Sequence, residues 1–164
     1  VRGPTIIAQY FENPAANADS FDAEGYFKTG DIVYCAKDTK KWYIIDRKKE
    51  LIKVRGFQVA PPEIEGVLLS NPGIIDAAVI GIHKKGAGDE EFPRAYIVRR
   101  PGEKNPVTEE DVLNWCSKRL AKYKALTGGV HFVDSIPKNA SGKILKRVLR
   151  EEAKKELDGD KARL

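Results

Sequence analysis

Lys143, Lys53, Gln58 and Asp31 are the side chains of this sequence whose types and settings suit chemistry. Lys143 follows Ser141-Gly142 and places a compact ammonium, three donors and no acceptor, at the end of a glycine-bearing loop, a group suited to anions. Ser141-Gly142-Lys143 is not the end of a P-loop, because that motif needs a glycine where Pro137 stands. Asp31 follows Gly30 and offers acceptors only. Taken singly, each residue has a plainer reading: Asp31 caps a turn, Lys143 is an exposed lysine before a helix, and Arg47 is a strand-end arginine in a surface ion pair. His83 and His131 have no neighbouring ligand set, and Cys35 and Cys116 lie far apart without a C-x-x-C spacing. No metal site is expected, and both thiols are expected to be reduced, inside a cell.

Composition bounds the rest. The chain has 164 residues, 41% hydrophobic, 32% charged and 9% aromatic, with a net charge of +5. No apolar run is long enough to span a bilayer. Lysine and arginine are interleaved with aspartate and glutamate, a pattern that fits a polyanionic small molecule as well as a nucleic acid. The basic segment Lys143–Lys155 contains Glu151 and Glu152 and reads as a solvated amphipathic face. There is no methionine, and Val1-Arg2-Gly3-Pro4 is no signal peptide, so the sequence reads as cut from a longer parent.

These residues must be positioned by an upstream fragment and a downstream domain. From Val1 to about Tyr34 the pattern is loop-rich, with a short helix over 15–21. Ile32–Ala36 and Trp42–Ile45 form a hairpin around a polar turn. Residues 50–54 and 57–59 form a second pair, with Gly56 supplying a positive φ at the turn. Ala60-Pro61-Pro62-Glu63 starts a helix that Asn71-Pro72-Gly73 stops. Residues 75–82 and 94–98 are strands. Thr108 caps a helix with Val112, Leu113, Cys116 and Leu120 on one apolar face, 130–133 is a strand, and 144–157 is a last helix with Leu145, Val148 and Leu149 inward. The order β-β-α-β-β-α-β-α predicts an α+β fold, helices packed on a small β-sheet. The last residues, from Asp158, are polar and expected to fray.

Three stretches carry a resemblance: Tyr26–Asp31 (YFKTGD), Asp46–Glu65 (DRKKELIKVRGFQVAPPEIE) and Pro137–Ile144 (PKNASGKI). In order and spacing they resemble core motifs of the adenylate-forming enzymes, in the branch of 4-coumarate:CoA ligases, acyl-CoA synthetases and beetle luciferase. Gly3–Phe21 is similar to the segment this branch carries before the first of them. The resemblance implies that a carboxylic acid is activated with ATP to an acyl-adenylate and then transferred to coenzyme A, while a small mobile domain adopts one orientation for each step. It implies that residues 1–46 end the large ATP- and acyl-binding domain and that 47–164 form the mobile lid, with the hinge at 47–49 and its pivot at Lys48 and Lys49.

By the same match, Asp31 and Arg47 adjoin the nucleotide ribose, and Lys143 bridges the substrate carboxylate and phosphate in the first step. Lys53 and Gln58 face the adenylate in the second. Arg55, Gly56 and Phe57 border the coenzyme A path, Gly56 allowing close backbone approach and Arg55 pairing with the diphosphate. Mg²⁺ is expected with ATP, its ligands lying outside this chain. The family's ATP-phosphate loop and acyl pocket are absent, so the chain alone is expected to fold mainly from about Arg47 onward and to be inactive. The acid remains open. Ala162-Arg163-Leu164 is similar to a peroxisomal address, which implies an import receptor as partner, peroxisomal delivery and a natural terminus with no carrier domain following; otherwise a cytoplasmic protein is expected. Two rival readings are an adenylation module that loads a carrier protein, and a non-catalytic basic domain that binds nucleic acid in a salt-sensitive way and is indifferent to Lys143→Ala.

Overall fold

The computed structural model describes residues 1–159, so the tripeptide Ala162-Arg163-Leu164 lies outside the described residues. The chain divides into two compact units between Lys49 and Glu50. Arg47 completes a strand opposite Asp31, and the Lys48 N–H donates to Gly30 O at 2.8 Å, which ties both residues to the first unit.

The first unit holds α1 (Pro14–Ser20) and an antiparallel hairpin of β1 (Asp31–Cys35) and β2 (Trp42–Arg47). Asn13 accepts the Ala16 N–H and Pro14 occupies the first turn, where its missing donor costs nothing. Phe21, expected as helical, instead leaves the helix in extended conformation to bridge Phe27. None of this unit's side chains joins the buried core, and Trp42 and Ile44 remain 70% and 72% exposed.

The second unit runs β3 (Ile52–Val54), β4 (Phe57–Val59), α2 (Pro61–Leu69), β5 (Ile74–His83), β6 (Glu91–Arg99), α3 (Glu109–Ser117), a 3₁₀ turn (Lys122–Lys124), β7 (Val130–Phe132) and α4 (Lys146–Gly159). β3 and β4 form a two-stranded antiparallel sheet. β6 lies between β5, antiparallel, and β7, parallel. This is an α+β fold in which the three-stranded sheet is covered on both faces. Ala77, Val79, Ala95, Ile97 and Val130 pack with Ile64 and Leu68 of α2, Val112 and Cys116 of α3, and Ile52, Val54 and Val59 of the β3–β4 hairpin. The alternate residues Ala78, Ile80, Ile82 and Tyr96 pack with Ile136 and with Leu149 and Ala153 of α4.

The expected start of α4 at Ile144 is two residues early. Ile144 pairs with Lys138 in an antiparallel bridge and the Leu145 N–H donates to Pro137 O at 2.8 Å, so both residues close a loop before the helix begins. Leu145 consequently points out, 38% exposed, and Leu149 and Ala153 take the inward positions. On α3 the expected apolar face is narrower: Val112 and Cys116 are buried, Leu113 is 38% exposed, and Leu120 lies beyond the helix end. Thr108 caps α3 as expected, and Asp111 completes a reciprocal capping box. Leu149→Ala should cost about 2–5 kcal/mol in denaturant unfolding, against less than about 1 kcal/mol for Leu145→Ala, because only the former empties a packed site.

Candidate functional site

The β3–β4 hairpin turns on Arg55 (φ +46°) and Gly56 (φ +82°), both left-handed, as a two-residue turn with primed geometry requires. Its register sets Lys53 directly opposite Gln58. Strand alternation buries Ile52, Val54 and Val59 and leaves Lys53 and Gln58 side by side on the exposed face. Phe57 closes the core edge by stacking on Tyr123, with ring centroids 4.4 Å apart. Beside it, the Lys124 ammonium pairs with Glu63, and that hydrogen bond raises its pKa. The Arg55 guanidinium is largely exposed, with Nε 3.5 Å from Glu90 Oε1.

A residue not singled out from sequence fixes the hairpin backbone. Glu91 Oε2 accepts the Lys53 N–H at 2.8 Å. Gly81 makes room for that carboxylate, since a Cβ there would come within 2.7 Å of Glu91 Oε1 and 2.9 Å of Ile52 Cγ2.

Lys143 stands on a different element, the loop between Ile136 and α4. Asn139 organises it: its side-chain oxygen accepts the Ser141 N–H (3.1 Å), the Ser141 hydroxyl (2.8 Å) and the Lys143 N–H (2.8 Å). Its backbone exchanges further bonds with Lys143 O and the Gly142 N–H, and Gly142 takes φ +81°. An asparagine two residues before a Ser-Gly pair is a turn signal that sequence reading could have used.

The loop and α4 are pinned by three ion pairs: Lys138–Asp76 at 2.6 Å, Lys146–Glu65 at 3.0 Å and Arg150–Glu50 at 2.8 Å. The Lys146–Glu65 pair is well enclosed, both side chains 12% exposed, and Glu65 Oε1 also accepts the Val79 N–H at 2.9 Å. By contrast, the ammonium groups of Lys143 and Lys53 have no partner among the described residues. They are exposed cations held at their backbones, which is what an external anion requires.

In the first unit, Arg47 Nε lies 2.9 Å from Asp31 Oδ1 across the ladder. The pairing expected of a strand-end arginine is therefore present. Asp31 also accepts no backbone bond from its own turn; its N–H donates to the Thr29 hydroxyl at 3.2 Å, leaving carboxylate lone pairs for other donors. Lys48 and Lys49 are exposed in the turn after β2.

The structure thus pairs Asp31 with Arg47 and sets Lys53 opposite Gln58, with Arg55, Gly56 and Phe57 at one hairpin tip. No hydrogen bond or ion pair joins Lys143 to Lys53 or Gln58 among the described residues. A groove of about 720 Å³ between the end of β5 and α4 is lined by none of these side chains. Among the described residues no group of three His, Cys, Asp or Glu side chains could hold a metal ion. His83 and His131 each lie 3.8 Å from a glutamate, Glu91 and Glu156. Cys116 is buried, which pushes its thiol pKa up.

Residues 63–143, about half the chain, match the AMP-binding enzyme C-terminal domain family. An acyl-CoA synthetase, ACTT5, of Alternaria alternata is 58% identical over 92% of this chain and 26% of its own length. The phenylacetyl-CoA ligase epaB of Aspergillus niger is 53% identical over 96% of this chain and 28% of its own. The crystal structure of ATP-bound MatB from Rhodopseudomonas palustris superposes with a TM-score of 0.84 at 34% identity, covering 95% of this chain and 30% of that one. The chain spans about a quarter of the length of the curated relatives it matches. By these matches the chain belongs to the AMP-binding enzyme C-terminal domain family, found at the C-terminal end of acyl-CoA synthetases and ligases.

Proposed function

We propose that the full-length protein is an AMP-forming acid–thiol ligase that makes acyl-CoA, and that this chain supplies its mobile lid, its pivot at Lys48 and Lys49, and part of its nucleotide site. In the first step a carboxylate oxygen attacks the α-phosphorus of ATP and pyrophosphate leaves. In the second the sulfur of coenzyme A attacks the acyl carbon, its proton is lost, and AMP leaves. The observation that carries the reading is that Lys143 and Lys53 have no side-chain partner among the described residues and are fixed at their backbones, yet stand on different elements of one unit.

Lys143 suits the first step, in which its ammonium neutralises charge gathering between the carboxylate and phosphate oxygens. Lys53, with Gln58 beside it, suits the second, where a donor pair holds the adenylate while the thiol enters. Arg55, Gly56 and Phe57 at the hairpin tip fit the border of the coenzyme A path, the exposed guanidinium meeting phosphate. Asp31 accepts from the ribose hydroxyls, with Arg47 holding its carboxylate in place. The name of the phenylacetyl-CoA ligase relative, with the resemblance to 4-coumarate:CoA ligases and acyl-CoA synthetases, directs the substrate search to arylalkanoic, hydroxycinnamic and fatty acids. The tripeptide Ala162-Arg163-Leu164 is similar to a peroxisomal address and favours delivery to peroxisomes through an import receptor.

On the full-length protein, one acid from such a panel should give both acid-dependent pyrophosphate and a coenzyme A thioester. Lys143→Ala should lose roughly 10²–10³ in the adenylation rate, about 3–4 kcal/mol. Lys53→Ala should keep adenylation and lose the thioester, and wild-type levels of both products in both variants would sink the assignment. Asn139→Ala should lower adenylation about tenfold and leave thioester formation from supplied acyl-adenylate unchanged, since it loosens only the Lys143 loop. A fluorescent reporter ending in the last five residues should enter peroxisomes, and one lacking Leu164 should stay outside.

A further inference from the structure

Glu50 is the first residue of the second unit, immediately after Lys48 and Lys49. Its Oε2 receives a hydrogen bond from Arg150 Nη2 at 2.8 Å, with the two side chains 30% and 35% exposed. Arg150 lies on α4 four residues after Lys146, on the same helix face, and α4 follows directly from the Lys143 loop. Two of the three ion pairs along this edge, Lys138–Asp76 and Lys146–Glu65, hold the loop and helix to β5 and α2. The third reaches back to the place where the chain enters the unit.

Building on the two-orientation reading above, we propose that the Arg150–Glu50 pair is a positioning clamp that confines the pivot to Lys48 and Lys49 and sets where Lys143 is delivered. Without it the unit begins, mechanically, at Ile52, the first residue of β3 and the first of the buried core. The bonds of Glu50 and Leu51 would then share in any rotation. A partly exposed ion pair adds little to stability, about 1 kcal/mol or less. Its effect falls on precision, because a displacement of about 1 Å at a reacting group can cost about a hundredfold in rate. Glu50 and Arg150 touch no substrate in this scheme; they act through the backbone that carries Lys143.

The test uses the full-length protein with Glu50→Gln, Arg150→Gln, Arg150→Lys and the exchanged pair Glu50→Arg/Arg150→Glu. Pyrophosphate release and thioester formation from supplied acyl-adenylate are measured separately, with thermal unfolding as the check on folding. Adenylation should fall about ten- to hundredfold in Glu50→Gln and Arg150→Gln, with the ratio of the two half-reactions changed and the melting temperature nearly unchanged. Arg150→Lys and the exchanged pair should recover most of the loss. Unchanged half-reactions in both single variants, or an exchanged pair no better than they are, would overturn the clamp.

Limited trypsin digestion of Arg150→Gln reads the clamp without any activity, since the variant leaves Lys48, Lys49 and Glu50 intact. Cleavage after Lys48 and Lys49 should accelerate severalfold relative to wild type, and an unchanged rate would again overturn the proposal. A wild-type protein that releases no acid-dependent pyrophosphate would instead defeat the ligase reading, and the digestion would still decide the clamp.

Discussion

The second unit depends on a small sheet that is dry on both faces. β5 and β6 are largely apolar, interrupted by Asp76 and by the buried, paired Arg94, and strand alternation divides their apolar residues between two cores, one under α2, α3 and the β3–β4 hairpin and one under α4. Such a sheet has no solvent face to mark its register, so register rests on packing: a slip by one residue would exchange the two cores wholesale. The two cores bind the sheet, the hairpin and the helices into one compact unit. Lys53 and the Lys143 loop therefore belong to one body, although one rides on a two-stranded hairpin and the other on a loop.

The charges divide by the same logic. Lys124, Lys138 and Lys146 each neutralise a carboxylate, and Lys146 does so in near-complete enclosure. An enclosed pair of this kind adds little net stability because both ions were desolvated to make it, but removing one partner strands the other, at about 3–5 kcal/mol. Glu65 is bound doubly, to Lys146 and to the Val79 N–H, so it locates α4 against α2 and the sheet. Among the described residues Lys143 and Lys53 have no such carboxylate partner, and in the proposed scheme it is they that meet an external anion. The distinction is one of partners, since all these lysines carry the same formal charge.

Where the sequence was legible, the signal was local. Gly56 announced a turn, Thr108 with Asp111 announced a helix start, and the motif spacing announced the family. Where it misled, a nearby pattern competed with a longer contact. Ile144 and Leu145 extend the apolar period of α4 backwards, yet their backbones are taken by Lys138 and Pro137. Glu91 could not have been found, because its reach to the Lys53 N–H crosses a sequence separation that carries no periodicity, and only the gap at Gly81 admits it. The β1–β2 hairpin reads as apolar and β-branched, which is correct for its strands. The pattern does not say what covers it, and Trp42 and Ile44 stand exposed in the unit as described.

In the proposed scheme, a single compact unit carrying two lysines on two elements restricts how they can act. If the body were flexible, each loop could approach a fixed nucleotide on its own, and no pivot would be needed. Because the sheet, the hairpin and α4 are joined by packed cores and by ion pairs at Asp76, Glu65 and Glu50, an approach by Lys143 moves Lys53 with it. In the proposed two-step scheme, serving one site in turn calls for rotation of the body as a whole, about bonds outside its core. Lys48 and Lys49 fit that proposal: they follow the last strand of the first unit and precede Glu50, the first residue of the second, and both side chains are exposed. The Lys48 N–H is still bonded to Gly30 O, so the scheme places the turning bonds after that nitrogen.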